Sequence, residues 1–235
     1  MTVSPIATAA ATLPVVETFH SLQGEGLHAG RSAFFIRLAG CDVGCPWCDT
    51  KHSWEPEAHP RRPLAELAAE VAEAAAAGAA FAVVTGGEPL EHDLDPFCAG
   101  LAVAAPQLPL HLETSGAAPV VLSGHFAWIT LSPKRHRPPT PELLAACDEL
   151  KVVVHEPADL DFAEAMAAQA FAQRATALRT AQTRTAEVPS EVSGPALLLQ
   201  PGWNCRRGQE LALAFVRSHP AWRLSLQSHK WLGVR

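Results

Sequence analysis

Short apolar runs alternate with helix-like patterns along most of this 235-residue chain. Runs typical of buried strands occupy residues 34–38, 81–84, 110–112, 127–131, 151–154, 196–199 and 223–226. Apolar residues at helical spacing occupy 64–75, 97–104, 161–175 and 209–217. Such alternation predicts an α/β fold with a mostly parallel sheet, and the number of strands suits a partly closed parallel barrel.

The ends of the predicted domain are marked by changes in composition. Residues 1–14 are small, rich in Ala and Thr and without periodicity, which predicts a mobile N-terminal tail before a single domain over 15–235. Residues 180–194 are polar and aperiodic, which predicts a flexible insertion.

Charge and hydropathy argue against several classes of partner. The formal net charge of −6 provides no general attraction for a phosphate backbone, so we expect no nucleic-acid substrate. No apolar run approaches the roughly 20 residues that a spanning helix needs, and the first residues lack the basic start of a secretory signal. We therefore expect a cytoplasmic protein without a membrane partner.

Three of the six cysteines crowd into eight positions, as Cys41, Cys45 and Cys48. Gly44 and Pro46 lie between them and favour the tight loop that brings thiolates together. Six cysteines in a chain of this length are too sparse for a disulfide scaffold, so the cluster indicates a metal site. The others stand alone, and we expect structural roles for Cys98, Cys147 and Cys205.

Three thiolates suit a 4Fe-4S cluster in which the fourth iron keeps open positions. S-adenosylmethionine can chelate that iron, and an electron from the reduced cluster then cleaves its sulfonium to give a radical that abstracts hydrogen. The alternatives are a zinc site completed by His52 or another residue, and a purely structural cysteine cluster. Zinc sites more often pair CxxC with a second distant pair, which this sequence lacks.

Polar and glycine-rich segments follow four consecutive predicted strands. They are GCDVGCPWCDT at 40–50, TGGEP at 85–89, ETSG at 113–116 and SPK at 132–134. Ligands of parallel α/β proteins gather at the carboxyl ends of the strands, so we expect these segments to form one site. The two glycines of TGGEP allow the backbone to approach a ligand closely.

Taken together, these motifs resemble the radical S-adenosylmethionine superfamily. The chain more narrowly resembles the 7-carboxy-7-deazaguanine synthase family through ETFHSLQGEG at 17–26, FFIRLAGC at 34–41, CDT at 48–50, LSPK at 131–134 and SLQSHK at 225–230. The resemblance implies a partial, open TIM-like barrel with a modified radical S-adenosylmethionine core. It also implies a lyase that converts 6-carboxy-5,6,7,8-tetrahydropterin to 7-carboxy-7-deazaguanine with loss of ammonia, towards 7-deazapurines such as queuosine.

The family's cofactors and partners follow from the same resemblance. A 4Fe-4S cluster, S-adenosylmethionine and Mg²⁺ are implied, with an external one-electron donor such as flavodoxin or ferredoxin and a homodimeric assembly. A glycyl-radical activating enzyme is an alternative that shares the cysteine spacing, but LQGEG and QSHK argue against it. A zinc-stabilised binding module is the alternative from a different class.

Site residues are implied position by position. The cluster ligands would be Cys41, Cys45 and Cys48, and Thr50 would ligate Mg²⁺. Contacts to S-adenosylmethionine would come from Trp47, Cys48, Asp49, Gly87, Ser132, Pro133 and Lys134. Contacts to the pterin would come from Leu22, Gln23, Gly24, Arg37, Thr85 and Arg235, with Arg37 on the substrate carboxylate. Further polar candidates are Glu25, Glu113, Gln200 and His229.

Two positions depart from the family pattern. Ser228 stands where a threonine is expected before His-Lys, a change that keeps the hydroxyl. The chain ends in Gly-Val-Arg, whereas some family members end in a proline whose carboxylate reaches the substrate.

Overall fold

The computed structural model describes residues 11–182 and 194–235 and confirms the alternation of strands and helices. The strands are β1 Thr12–Leu22, β2 Ser32–Leu38, β3 Arg61–Pro63, β4 Phe81–Gly86, β5 Leu110–Thr114, β6 Trp128–Leu131, β7 Glu149–Val154, β8 Ala196–Pro201 and β9 Trp222–Leu224. The α-helices are α1 Leu64–Ala76, α2 Asp95–Ala104, α3 Pro141–Ala146, α4 Pro157–Gln182, α5 Arg206–Ser218 and α6 Ser228–Leu232. In this part of the chain, no helix combines the length and the apolar character needed to cross a membrane.

All nine strands belong to one sheet in the order β3-β1-β2-β4-β5-β6-β7-β8-β9. Along the part of this order that runs β2-β4-β5-β6-β7-β8-β9, each strand pairs in parallel with its neighbour. Strand β1 is antiparallel to both β2 and β3. The edge strands β3 and β9 lie at opposite ends of this order, so the sheet of the described residues is not closed. An open, mostly parallel sheet is the predicted architecture.

Successive side chains on the parallel strands point to opposite faces of the sheet. On β5, Leu110 and Leu112 pack in the main apolar core, while His111 and Glu113 line a small cavity on the other face. On β7, Leu150 lies in the same core, while its neighbours Glu149 and Lys151 line the small cavity on the other face. The helices therefore cover an apolar outer face, whereas the inner face carries polar side chains on β5 and β7 and a second apolar cluster on β2 and β4.

The predicted boundaries of the N-terminal tail and of the insertion need correction. Residues 12–14 belong to β1, where they pair with β3 and bury Leu13, so the fold begins before the expected boundary at residue 15. Residues 1–10 lie outside the described residues. Helix α4 continues to Gln182, two residues past the expected start of the insertion, and 183–193 lie outside the described range. Strands β1 and β3 and helices α3 and α6 were not predicted from the sequence.

We predict that Leu112→Ala destabilises the fold by about 2–5 kcal/mol, because Leu112 is fully buried in the core between sheet and helices. Urea unfolding of both proteins measures this difference. The matched control is Val103→Ala on α2, whose side chain is 84% exposed, and it should shift the free energy of unfolding by no more than about 0.5 kcal/mol. Equal effects of the two substitutions would contradict the assignment of this face as the core.

Candidate active site

The loops that follow β2, β4, β5 and β6 meet at one edge of the sheet because these strands are parallel neighbours. They surround a cavity of about 200 Å³, here termed the cysteine cavity. Its lining includes Cys41, Cys45, Cys48, Gly87, Ser132 and Lys134. The predicted convergence of the four polar segments is thus observed.

The cysteine loop is shaped by its backbone and held by a neighbouring loop. Gly44 has a φ of +71°, a conformation that glycine adopts without strain. The Cys48 N–H donates to the Cys45 carbonyl at 3.1 Å, which closes a turn. From the loop after β6, Arg137 Nη1 pairs with Asp42 Oδ1 at 2.9 Å. The three thiols are therefore brought to one side of an ordered loop.

The chemistry of these thiols fits a metal cluster. All three are free, and burial raises the pKa of Cys41 to about 11 and raises that of Cys45. Such thiols lose their protons when a metal binds them. Within residues 11–182 and 194–235, no three His, Cys, Asp or Glu side chains are arranged to hold a single metal ion. In a 4Fe-4S cubane held by three cysteines, each thiolate binds a different iron.

The TGGEP segment has a packing role that the sequence analysis did not assign. A Cβ on Gly86 would lie 2.1 Å from the Leu38 carbonyl oxygen, and one on Gly87 would lie 2.0 Å from that of Gly40. Glycine is therefore required here because the end of β4 lies against the end of β2. Gly87 also lines the cysteine cavity, as predicted.

Glu88 of the same segment is a buried anchor that the sequence analysis missed. One carboxylate oxygen accepts from Thr114 Oγ1 at 2.5 Å and from the Leu90 N–H at 3.2 Å. The other accepts from the Ser115 N–H at 2.8 Å and from its hydroxyl at 2.5 Å. Glu88 thus ties the loop after β4 to the loop after β5.

Opposite the cysteines, the SPK segment contributes a hydroxyl and an ammonium. Lys134 Nζ donates to Ser132 Oγ at 2.9 Å, and both residues line the cysteine cavity. Burial lowers the pKa of Lys134. Pro133 is buried between them and does not contribute to the lining.

Trp47 and Asp49, which flank Cys48, lie away from the cysteine cavity. The Trp47 ring is 46% exposed and packs 5.1 Å from the ring of His155 and 5.7 Å from that of His136, measured between ring centroids. Asp49 pairs with Lys230 and lines a second cavity. Neither side chain lines the cysteine cavity, and their contacts with S-adenosylmethionine stay predictions.

A second cavity of about 230 Å³, here termed the polar cavity, adjoins the first. Both are lined by Glu25, Thr50, Thr85, Gly86 and Glu113. The residues predicted to contact the pterin all line the polar cavity: Leu22, Gln23, Gly24, Arg37, Thr85 and Arg235. Sequence reasoning thus located this group correctly as a cluster.

Arg37, which was predicted to bind the substrate carboxylate, already forms an ion pair with Glu17. Its Nε donates to Glu17 Oε1 at 3.0 Å, and Arg235 Nη2 lies 2.9 Å from Glu17 Oε2. Both guanidinium carbons lie over the Phe19 ring, 6.0 and 5.7 Å from its centroid. At this end of the polar cavity, one carboxylate thus lies between two guanidinium groups.

At its other end, the polar cavity contains carboxylates. Glu113 accepts from Gln23 Nε2 at 2.9 Å and from Thr85 Oγ1 at 2.8 Å. Burial alone would raise the pKa of Glu25, but its pairing with Lys151 lowers it to about 2. Lys151 was missed by the sequence analysis, although a single lysine in a valine-rich strand is a signal that could have been used.

The C-terminal helix α6 covers the polar cavity. The Ser228 hydroxyl donates to the Gly24 carbonyl at 2.9 Å, a contact that a threonine in its place could also make. A Cβ on Gly24 would lie 2.1 Å from His229 Nδ1, so glycine lets the helix approach this closely. His229 lines the polar cavity, in agreement with its choice as a polar candidate.

Comparisons with known proteins agree with this geometry. Residues 35–181 match the sequence model of the Radical SAM superfamily. A 7-carboxy-7-deazaguanine synthase from Prochlorococcus marinus is 52% identical over 227 residues, which cover 94% of this chain and 98% of the relative. One from Synechocystis sp. is 45% identical over 94% of this chain and 93% of the relative. The crystal structure of QueE from Escherichia coli matches with a TM-score of 0.72 and 27% identity, over 95% of this chain and 98% of that one.

The match to the Radical SAM superfamily covers more than half of the chain, and the curated relatives match nearly all of it. The superfamily carries a 4Fe-4S cluster and S-adenosylmethionine, in agreement with the three thiols of the cysteine cavity. From the site and these matches we conclude that the chain belongs to the 7-carboxy-7-deazaguanine synthase family of radical S-adenosylmethionine lyases.

Proposed function

We propose that this chain converts 6-carboxy-5,6,7,8-tetrahydropterin to 7-carboxy-7-deazaguanine with loss of ammonia, as a step towards 7-deazapurines such as queuosine. The observation that carries this proposal is the junction of the two cavities, at which Thr85 and Glu113 line both. A small molecule in the polar cavity would lie directly beside a cofactor in the cysteine cavity. The names of the relatives support the product.

In the cysteine cavity, we propose that the cluster and S-adenosylmethionine together supply a radical that abstracts hydrogen from the substrate. Cys41, Cys45 and Cys48 would hold the cluster. Lys134 would pair with the carboxylate of the methionyl group, because an ammonium suits that partner and no acidic side chain neutralises it directly among its described contacts. Gly87 would offer its backbone to the same cofactor.

In the polar cavity, we propose that the substrate carboxylate binds Arg37 and Arg235, two guanidinium groups that lie on either side of Glu17. The pterin ring carries N–H donors, and carboxylates are acceptors when ionised. Glu25 and Glu113 would accept from them. The charge distribution of the cavity thus matches a molecule with an anionic end and a donor-rich end.

We propose that Thr50 ligates Mg²⁺, with the remaining oxygen ligands coming from substrate and water. Its side chain lines both cavities, next to Asp49 and 3.5 Å from Cys48 Sγ. An external one-electron donor such as flavodoxin or ferredoxin, a homodimer and a cytoplasmic location stay predictions of the family resemblance. A protein substrate, as in glycyl-radical activating enzymes, is disfavoured because α6 covers a cavity of only about 230 Å³.

An anaerobic assay tests the proposed function. Reconstituted, reduced protein is incubated with S-adenosylmethionine, 6-carboxytetrahydropterin and Mg²⁺, and we expect mass spectrometry to detect 7-carboxy-7-deazaguanine. Formation of 5′-deoxyadenosine without this product would support the superfamily chemistry but refute the proposed substrate. Omitting Mg²⁺ should lower the rate of product formation if Thr50 has the proposed role.

We predict that Cys45→Ala abolishes cluster binding, because two thiolates cannot hold the cubane in place of three. Iron and sulfide analysis and the visible absorption spectrum measure the loss. Cys98→Ala is the matched control, since this half-buried cysteine packs beside the core and does not line the cysteine cavity. Retention of full iron content in Cys45→Ala would contradict the assignment.

We predict that Arg37→Ala raises the KM for the pterin by about tenfold or more, the usual consequence of losing a charged hydrogen bond. Cleavage of S-adenosylmethionine without pterin should be unchanged, because Arg37 does not line the cysteine cavity. Arg206→Ala on α5 is the control, with a side chain that is 90% exposed. An unchanged KM in Arg37→Ala would refute the role.

A further inference from the structure

Lys151 is a buried ammonium that the function described so far does not use. It lies on β7 with only 5% of its surface exposed, among the valines and leucines of the strand. Its side chain points to the polar inner face of the sheet and lines the cysteine cavity. A charge buried in this way is costly unless it is paired, so its partner indicates why it is present.

The partner of Lys151 is Glu25, to which its Nζ donates a hydrogen bond. Oε2 of Glu25 also accepts from Gln200 Nε2 at 3.1 Å, and Oε1 accepts from Gln227 Nε2 at 2.9 Å. These three donors come from β7, β8 and the segment before α6. An ionised carboxylate can accept about four hydrogen bonds, so Oε1 keeps capacity for one more donor.

Glu25 lines both cavities and thus faces the proposed position of the substrate. We propose, on the basis of the proposed function, that Lys151 is a positioning residue that keeps Glu25 ionised and oriented so that its free acceptor receives an N–H of the pterin's pyrimidine ring. Lys151 acts through Glu25 and does not itself contact the polar cavity, whose lining excludes it.

The groups around Glu25 explain why a cation is needed. Glu113 on β5 and Glu149 on β7 add negative charge, and burial by itself disfavours ionisation. Lys134, from the loop after β6, is a more distant cation, and burial lowers the pKa of His229 on α6. Gln200 and Gln227 are neutral. Lys151 is therefore the cation that offsets the desolvation of Glu25.

The sign of the pH dependence follows from these groups. With Lys151 present, the pKa of Glu25 is about 2, so the carboxylate is an acceptor at every pH at which the enzyme is assayed. Without the ammonium, the charge and hydrogen bond of Lys151 no longer oppose burial, so the pKa of Glu25 rises, although the hydrogen bonds from Gln227 and Gln200 still lower it. The protonated acid is then a poorer acceptor, and pterin binding should be weak at low pH and recover as the pH rises.

The test compares Lys151→Met, which keeps the length of the side chain without its charge, with Lys151→Arg, which keeps the charge. In the anaerobic assay, Lys151→Met should raise the KM for the pterin by about tenfold or more. It should also introduce a rising dependence of kcat/KM on pH that the wild type lacks. Lys151→Arg should restore a substantial part of the loss. All parameters of the exposed control Arg223→Met should be unchanged.

A double-mutant cycle decides whether Lys151 acts through Glu25, and it also covers a failure of Lys151→Met to fold. The pair Lys151→Met with Glu25→Gln removes both members of this ion pair, so Glu25 is not left as an unpaired buried charge, and we expect the double variant to fold. Its KM should equal that of Glu25→Gln alone. A further tenfold loss from Lys151→Met in the Glu25→Gln background would overturn the proposal, and so would a wild-type KM and pH profile in Lys151→Met.

These outcomes are distinct from a failure of the proposed function. If the wild type forms no 7-carboxy-7-deazaguanine, the substrate assignment fails, and the inference built on it falls with it. If the wild type forms the product and Lys151→Met has the same KM and pH profile, only the role of Lys151 fails.

Discussion

The loops after β2, β4, β5 and β6 can form one site only because these strands pair in parallel and end at the same edge of the sheet. At the end of β4 the two strands lie too close for any side chain at position 86, since a Cβ on Gly86 would collide with the backbone of β2. Glu88 then ties the loop after β4 to the end of β5 and the loop that follows it through three hydrogen bonds. The cysteine loop is therefore built against a rigid support.

The same strands determine the chemical character of the interior. Because side chains alternate between faces, β5 and β7 place leucines against the helices and polar groups inward. Glu25, Glu113 and Glu149 would not be stable as separate buried ions, and Lys151 lies among them as the compensating charge. At the opposite end, Glu17 lies between two arginines. The polar cavity therefore has guanidinium groups at one end and buried carboxylates at the other.

Elements with strong periodicity were predicted well from the sequence. The run at 81–84 is buried on both faces, and the pattern at 64–75 presents one apolar face to the core, so each corresponds closely to an observed element. Strand β1 was missed because much of its second half is only partly buried, which weakens the alternation. Helix α6 has five residues, too few for a periodic signal, and packing on Gly24 supports it.

The sequence by itself determined the three-cysteine loop and the order of the polar segments, because these depend on spacing along the chain and on strand direction. The residues that gather around the polar cavity were assigned through the family resemblance. Only the tertiary structure decided the pairings of Lys151 with Glu25 and of Glu17 with Arg37 and Arg235. It also placed Trp47 against two histidines, away from the cysteine cavity. Such contacts join residues far apart in the chain, and they depend on strand register and on which charges must compensate one another once water is excluded.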